Sequence, residues 1–256
     1  MTPRHVLITG ASSGIGAALA HRFARPGTKL SLTGRDPTRL RQVSERCGNA
    51  SADAQWQAMD ITDAHVVGQW IMDCDTVQPV DLVIANAGIG GSAVIVPDSG
   101  EMLAAAHDIV ATNILGVANT VIPLLPRFVV RGNGHVVIMS SLAGYVGLPQ
   151  SPLYSASKAA VRVYGQALRR LLAPGGIRVT VVCPGFVETP MSATVPGLRP
   201  LLWSVERAAA RIERGIARNE REIRFPWILA TLARMAEALP PALVDPILAR
   251  SRRSNA

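Results

Sequence analysis

Tyr154 and Lys158 stand four residues apart in Ser151-Pro-Leu-Tyr-Ser-Ala-Ser-Lys158, and Ser141 lies thirteen residues before the tyrosine. Those types at that spacing offer an acid, a helper cation and an orienting hydroxyl. Ser151 suits a helix N-cap and Pro152 the first helical position. On the helix that follows, residues i and i+4 share a face, so Tyr154 and Lys158 point the same way. A phenol titrates near pH 10, about three units too high to exchange protons freely at neutrality. A nearby ammonium favours the phenolate, so Lys158 is expected to lower the tyrosine pKa and let it carry a proton. Lysine occurs only at positions 29 and 158, whereas arginine supplies every other basic side chain. A lysine kept at 158 therefore points to a need that arginine does not meet. Taken alone, Tyr-x-x-x-Lys reads better as two ordinary exposed helix residues, and only the companion motifs overturn that reading.

The first companion opens the chain. Val6-Leu-Ile-Thr9 has the pattern of a buried strand, and Gly10-Ala-Ser-Ser-Gly14-Ile-Gly16 leads into an apolar helix from Ala17 to Phe23. Glycines at a strand-to-helix turn let backbone N–H groups approach a pyrophosphate at the positive end of the helix. The spacing G-x-x-x-G-x-G is one residue longer than the commoner dinucleotide pattern. By itself it is also a tight turn; the flanking strand and helix make it a nucleotide site.

Thr9-Gly-Ala-Ser-Ser-Gly-Ile-Gly16, Asn86-Ala-Gly88, Asn113, Ser141, Tyr154-Ser-Ala-Ser-Lys158 and Pro184-Gly185 with Thr189 together resemble the short-chain dehydrogenase/reductase family. The resemblance runs in order from about residue 4 to about residue 190. It implies an α/β, doubly wound Rossmann fold and an NAD(P)-dependent oxidoreductase. It implies Tyr154 as proton donor to a carbonyl or acceptor from an alcohol, and Lys158 bound to the nicotinamide ribose. Ser141 would polarise the substrate oxygen, its neighbour Ser140 being the competitor that the spacing disfavours. Asn113 would support a water joining Lys158 to solvent; without the family it reads as a helix-interior polar residue satisfied by backbone. The implied cofactor contacts are Gly10, Ser12, Ser13, Gly14, Ile15 and Gly16 in the glycine loop, Asp60 and Ile61 at the adenine, and Asn86, Ala87 and Gly88 beside the cofactor. Tyr154, Lys158, Pro184, Gly185, Val187 and Thr189 complete the set, with Thr189 near the carboxamide. Asp60 also reads as a cap for the next helix.

The same resemblance addresses the choice of cofactor through Thr33-Gly34-Arg35-Asp36. An acid at the end of the second strand would hold the ribose hydroxyls of NAD. Gly34 occupies that place and Arg35 follows, where a guanidinium suits a 2′-phosphate. NADP(H) is therefore favoured over NAD(H). A two-residue change of register would put Asp36 there and reverse the preference.

These residues require a parallel sheet to carry them, and the alternation of strand and helix patterns supplies one with helices on both faces. Strands are expected at His5–Thr9, Lys29–Thr33, Trp56–Met59, Asp81–Ala85, His135–Met139 and Arg178–Val182, all with the apolar content of central strands. Helices are expected at Ile15–Ala24, Thr38–Arg46, Ala64–Cys74, Gly100–Phe128 and Pro152–Ala173. Pro123 and Pro126 should bend or end the fourth. Ligands bind beyond the carboxyl ends of such strands, and Gly10, Asn86, Ser141 and Pro184 all fall there.

Composition sets the bounds. A chain of 256 residues, 48% of them hydrophobic, is long enough for one large core. Neither a signal-peptide apolar region nor an uninterrupted bilayer-spanning run is expected. Cys47, Cys74 and Cys183 have no metal-ligand spacing, and an odd count suits free thiols in a reducing cytoplasm. The net charge of +8 is spread along the chain without an aromatic-basic platform, so no nucleic-acid partner is expected. From Arg199 onward eleven arginines face six acids, which concentrates the excess at the C-terminal end.

Residues 1–225 read as the Rossmann unit and 226–256 as a C-terminal helical arm of the same domain. Glu222-Ile-Arg-Phe225 reads as the last strand. Apolar residues 228, 229, 232, 235, 236 and 239 then form a helical stripe, and a second short helix could follow Pro241. Packing on the domain or on a second subunit is the favoured reading of that stripe, with a dimer more expected than a tetramer. Contact with a membrane surface, delivering a lipid-like ketone, is the alternative. The segment from about 186 to 203 carries Met191, Val195, Leu198, Leu201, Leu202 and Trp203, an apolar lid for a hydrophobic ketone or secondary alcohol. Two further classes stay open: a catalytically silent cofactor-binding regulatory or scaffold protein, and an epimerase or dehydratase on the same fold.

Overall fold

The computed structural model describes residues 3–90, 101–194 and 198–253. Seven strands form one parallel sheet in the order β3-β2-β1-β4-β5-β6-β7. They are β1 (His5–Thr9), β2 (Lys29–Gly34), β3 (Asp53–Ala58), β4 (Leu82–Ala85), β5 (His135–Met139), β6 (Arg178–Pro184) and β7 (Glu222–Phe225). The helices are α1 (Gly14–Phe23), α2 (Pro37–Asn49), α3 (Ala64–Val77), α4 (Glu101–Val110), α5 (Gly116–Val121), α6 (Leu125–Arg131), α7 (Pro152–Leu172), α8 (Pro190–Ala193), α9 (Val205–Ala217), α10 (Trp227–Ala238) and α11 (Pro241–Arg253).

Side-chain alternation along the strands divides the core into two layers. Val6 and Ile8, Leu82 and Ile84, and Val137 and Met139 pack against Leu19, Leu40 and Ile212 of α1, α2 and α9. Leu7, Val83, Val136 and Ile138 face the other way, onto Ile71, Val121, Phe128 and Val161 of α3 and α5–α7. Both faces are covered, as the apolar central strands require. β3 departs from that expectation. It is the edge strand, its residues are mostly exposed, and Trp56 faces partly outward.

The fourth expected helix is one path in several pieces; its expected start, Gly100, lies outside the described residues. A π-helical turn, Ala111–Leu115, separates α4 from α5, and a 3-10 turn, Ile122–Leu124, separates α5 from α6. Pro123 and Pro126 therefore tighten the path without ending it, and the left-handed Gly132 closes it. By length and hydropathy, Leu103–Arg131 could cross a bilayer, unlike the expectation from the sequence. Val117, Val121, Leu124 and Phe128 are buried in the core, however, which makes it a core helix of this fold. α9 was not foreseen: its buried stripe is mostly Ala208, Ala209 and Ile212, set among charged residues that mask it.

Two histidines sit fully inside at the amino ends of the strands. His5 Nδ1 donates to the Gln78 carbonyl at 2.7 Å and its Nε2 meets the Ser31 hydroxyl at 2.8 Å. His135 Nε2 lies 2.8 Å from Thr180 Oγ1, whose own proton goes to the Glu220 carbonyl. These partners suit neutral imidazoles. Burial lowers both pKa values, that of His135 from 6.5 to about 3. Between those values the unfolded chain binds a proton that the folded chain refuses, so stability falls as pH falls. Unfolding free energies from urea melts through this window should fall as pH falls, by up to about 1.4 kcal/mol per pH unit for His135. His135→Gln should flatten the slope; an unchanged slope would show that His135 is not a source of it.

Candidate active site

At the carboxyl end of β1 the chain turns sharply into α1. Gly10 and Gly14 take positive φ values of 66° and 54°. A Cβ on Gly10 would lie 2.8 Å from Ala87 Cα, and one on Gly16 would lie 2.5 Å from Asn86 Nδ2. Asn86 fastens this turn by donating to the carbonyls of Thr9 and Gly10 at 3.0 and 3.1 Å, while the Asn86 and Ala87 N–H groups donate to Thr9 Oγ1. Ser13 is the N-cap of α1 yet makes no side-chain cap bond, and the first turn has no acidic residue. That N-terminus keeps its donors and positive field for an anion. A cradle too tight for side chains, opening on helix donors, fits the pyrophosphate of a dinucleotide.

The carboxyl ends of neighbouring strands extend the cradle. Ser12 Oγ would lie 3.1 Å from a Cβ on Gly34, so Gly34 leaves room beside the loop. Arg35 is exposed directly after it. Asp36 is occupied elsewhere: it caps α2, accepting from Arg39 N at 3.0 Å and pairing with the Arg39 guanidinium at 3.1 Å. Asp60 accepts from the backbone and hydroxyl of Thr62, both at 2.9 Å. The backbone bond from Thr62 chiefly holds its pKa low, with Arg35 also contributing. The alternative reading of Asp60 as a helix cap is wrong, because Asp63 caps α3. Ile61 is buried against Gly116, and its carbonyl accepts from Asn119.

The candidate catalytic cluster lies where β5 and β6 end. Ser140 and Ser141 follow β5 and have separate uses. Ser140 is buried and donates to the Lys158 carbonyl at 2.7 Å. Ser141 Oγ accepts from Ala143 N at 3.1 Å and donates to the Pro184 carbonyl at 3.4 Å. Lys158 is buried; its Nζ donates to the Met139 carbonyl at 3.1 Å and lies 5.7 Å from the Tyr154 ring centre. Burial lowers the lysine pKa to about 8. It also raises that of Tyr154, while the nearby Ser141 hydroxyl works the other way. The expected fall in the tyrosine pKa is thus reversed, because desolvation of the phenolate outweighs the help it receives. At neutral pH the group is a phenol able to give a proton. Ser151 is the N-cap of α7 as expected, although its hydroxyl makes no cap bond; the Leu148 N–H donates to Ser155 Oγ beside it.

Asn113 sits in the π-helical turn, fully buried. Its amide accepts from Ile89 N at 2.8 Å and donates to Ile89 O and Ser157 Oγ at 3.0 and 3.1 Å. Backbone does satisfy it, but backbone of the segment after β4. It holds Gly88 close: a Cβ there would lie 3.1 Å from Asn113 Oδ1 and 3.2 Å from Lys158 Nζ.

Residues 184–194 pass beside the glycine loop, with Thr189 against Gly14. Gly185 N donates to the Phe225 carbonyl at 2.7 Å, and Val187 is buried in a bridge with Trp203. Thr189 caps α8, and its methyl faces Gly14 at 3.0 Å from where a Cβ would stand. Met191, Leu198 and Leu201 present exposed apolar surface, while Leu202 is half-buried. Trp203 is not part of a lid. It stacks on Phe225 at 4.8 Å, with the Arg207 guanidinium 3.9 Å above it. Val195 lies outside the described residues.

Sequence reasoning missed the support behind Ser141. The Tyr145 hydroxyl donates to Glu222, and Arg162 stacks 4.1 Å over the Tyr145 ring. Arg162 also donates to the Gly144 carbonyl at 3.2 Å and to Glu237 of α10 at 2.5 Å. No short motif joins residues so far apart in the chain; only the fold does.

The family model described as short chain dehydrogenase matches residues 4–197. A Myxococcus xanthus protein described as an uncharacterized oxidoreductase is 37% identical over 253 residues, covering 98% of this chain and 99% of that one. A short-chain dehydrogenase from Sphingobium yanoikuyae, solved in complex with NADPH, is 30% identical with a TM-score of 0.79, covering 87% of each chain. A short chain dehydrogenase/reductase from Burkholderia phymatum, solved in complex with NAD, is 25% identical with a TM-score of 0.80, covering 89% of this chain and 91% of that one.

The two serines can be told apart without an assay of turnover. Ser140→Ala removes a buried hydrogen bond and should cost about 1 kcal/mol in a urea melt, against a few tenths for Ser141→Ala. The reverse order would mean that the two hydroxyls have been assigned to the wrong partners.

Proposed function

Because the chain belongs to the short-chain dehydrogenase/reductase family, we propose that it reduces a hydrophobic ketone, or oxidises the matching secondary alcohol, with NADP(H) and with Tyr154 as the proton-transfer group. The observation that carries this reading is buried Lys158, its Nζ 5.7 Å from the Tyr154 ring centre on the same face of α7, next to the turn that carries Ser141 and to the glycine cradle. The nicotinamide would supply or accept the hydride. Gly10 to Gly16 would hold the pyrophosphate, and Asn86, Ala87 and Gly88 would flank the cofactor. Ser141 would orient the substrate oxygen toward the tyrosine hydroxyl. Tyr154, protonated at neutral pH, would pass its proton to that oxygen, and Lys158 would stabilise the phenolate left behind.

Preference for the phosphorylated cofactor rests on Gly34 and exposed Arg35, together with the engagement of Asp36 as the α2 cap. The solved neighbours hold either form, so the preference comes from this chain's own residues. The hydrophobic substrate rests on Met191, Leu198 and Leu201, which leave apolar surface exposed.

A panel of apolar ketones and alcohols followed by nicotinamide absorbance tests the reading. Turnover by the wild type and a loss of about 10²–10⁴-fold in Tyr154→Phe, with cofactor binding kept, is the expected result. Activity within a few-fold of wild type would remove Tyr154 from the mechanism. Lys158 loses its proton as pH rises through about 8, so ketone reduction should decline over that range. A rate that climbs there would contradict the assigned cation.

Fluorescence titration tests the cofactor. Arg35→Ala should weaken NADPH about ten- to a hundred-fold, as expected for a charge-assisted bond, and leave NADH nearly unchanged. Equal losses for both would remove the phosphate contact.

A further inference from the structure

The C-terminal arm has two faces, and only one is accounted for. Its inner face packs on the domain through Leu229, Ala230 and Ala233, against Leu142, Tyr145 and Val146. The apolar stripe read from the sequence was expected to do this packing, and mostly it does not. Ile228, Leu232, Met235 and Leu239 are between 41 and 56% exposed and share the opposite face of α10. Leu243 and Ile247 of α11, one turn apart, are 59 and 68% exposed.

The charges beside this surface are of one sign. Trp227 is 74% exposed and stands with Arg224 and Arg234 around a shallow cavity of about 440 Å³. Neither arginine has a hydrogen-bond or ion-pair partner among the described residues. The two acids of the arm lie elsewhere. Glu237 turns inward to Arg162, and Asp245 is two residues from both Leu243 and Ile247, on the far side of α11.

We propose that the outer face of α10 and α11 docks on an anionic lipid surface, with the apolar side chains entering the headgroup–acyl boundary and Arg224 and Arg234 meeting phosphate. A half-buried apolar helix face with a tryptophan and unpaired arginines at its margin fits that interface. A second copy of the chain fits it less well. Two-fold pairing would gather both copies of the two arginines at one interface, with no acid among the described residues of that face to answer them. The proposal stands apart from the reaction, because it needs no substrate or cofactor.

Co-sedimentation with phosphatidylcholine vesicles, with and without phosphatidylserine, tests it on the full chain. The wild type should pellet with the phosphatidylserine vesicles and do so less at high salt. Replacing both arginines (Arg224→Gln with Arg234→Gln) should weaken that binding about thirtyfold. Leu232→Asp with Met235→Asp should abolish it while solution mass and thermal melt stay as in the wild type. A wild type that stays in the supernatant, or that binds both vesicle types alike, overturns the proposal. So does an aspartate variant that still pellets, or one whose mass shows a dimer split into monomers, which would give the face to a second copy. Should the aspartate variant not fold, the arginine pair, with Arg234 exposed and Arg224 half-buried, decides the outcome alone.

Discussion

Gly144 and the backbone of Lys158 share a space with no room for another carbon. A Cβ on Gly144 would lie 2.8 Å from the Lys158 carbonyl carbon and 2.9 Å from its oxygen. Ser140 donates to that same carbonyl, and Arg162, one turn further along α7, holds the Gly144 carbonyl. The turn leaving β5 is thereby pressed onto the helix that carries Tyr154 and Lys158. Ser141 sits inside that turn, so its distance to the tyrosine is set by backbone packing more than by side-chain choice. Lys158 closes the arrangement from the other side by donating to Met139, the last residue of β5. Proximity of this kind matters because an error of about 1 Å at a reacting group can cost about a hundredfold in rate.

Burial gives the site its chemical character. Desolvation makes Tyr154 a weaker acid and Lys158 a weaker base than either is in water. The tyrosine therefore holds its proton at neutral pH, and the lysine lies close to its own titration point. Lysine can be tuned in this way, whereas a guanidinium stays charged in any environment. That difference accounts for one of only two lysines standing at position 158 in a chain whose other basic residues are arginine.

Much of this was legible in the sequence because strand and helix periods are local properties. β1, β5 and β7 appear at the bounds their residues predict, and β2, β4 and β6 differ only at their ends. Ser140 and Ser141 could not be separated by residue type; position in the turn separates them. The direction of the Tyr154 shift was misread because spacing reveals a neighbouring charge but not loss of solvent. β3 looked central because Trp56 and Ala58 are apolar, although an edge strand also accepts such residues. α9 escaped notice because alanines among charges make a faint stripe. The arm shows the limit most clearly: periodicity located an apolar face on α10 but could not say which face the domain would cover. Small residues, Ala230 and Ala233, allow the close approach, and the larger side chains face out. The Tyr145–Glu222 and Arg162–Glu237 contacts span 77 and 75 residues and left no local trace.

The Gly144–Lys158 contact sets Ser141 against Tyr154 and Lys158, and Gly144→Ala tests this most directly. The added carbon must push the turn away from α7, while the glycine cradle across the site is untouched. Turnover at saturating cofactor should fall by at least about tenfold with NADPH affinity nearly unchanged. A variant that turns over as fast as the wild type would contradict the claim, because Ser141 and Tyr154 would then keep their geometry without the contact said to impose it.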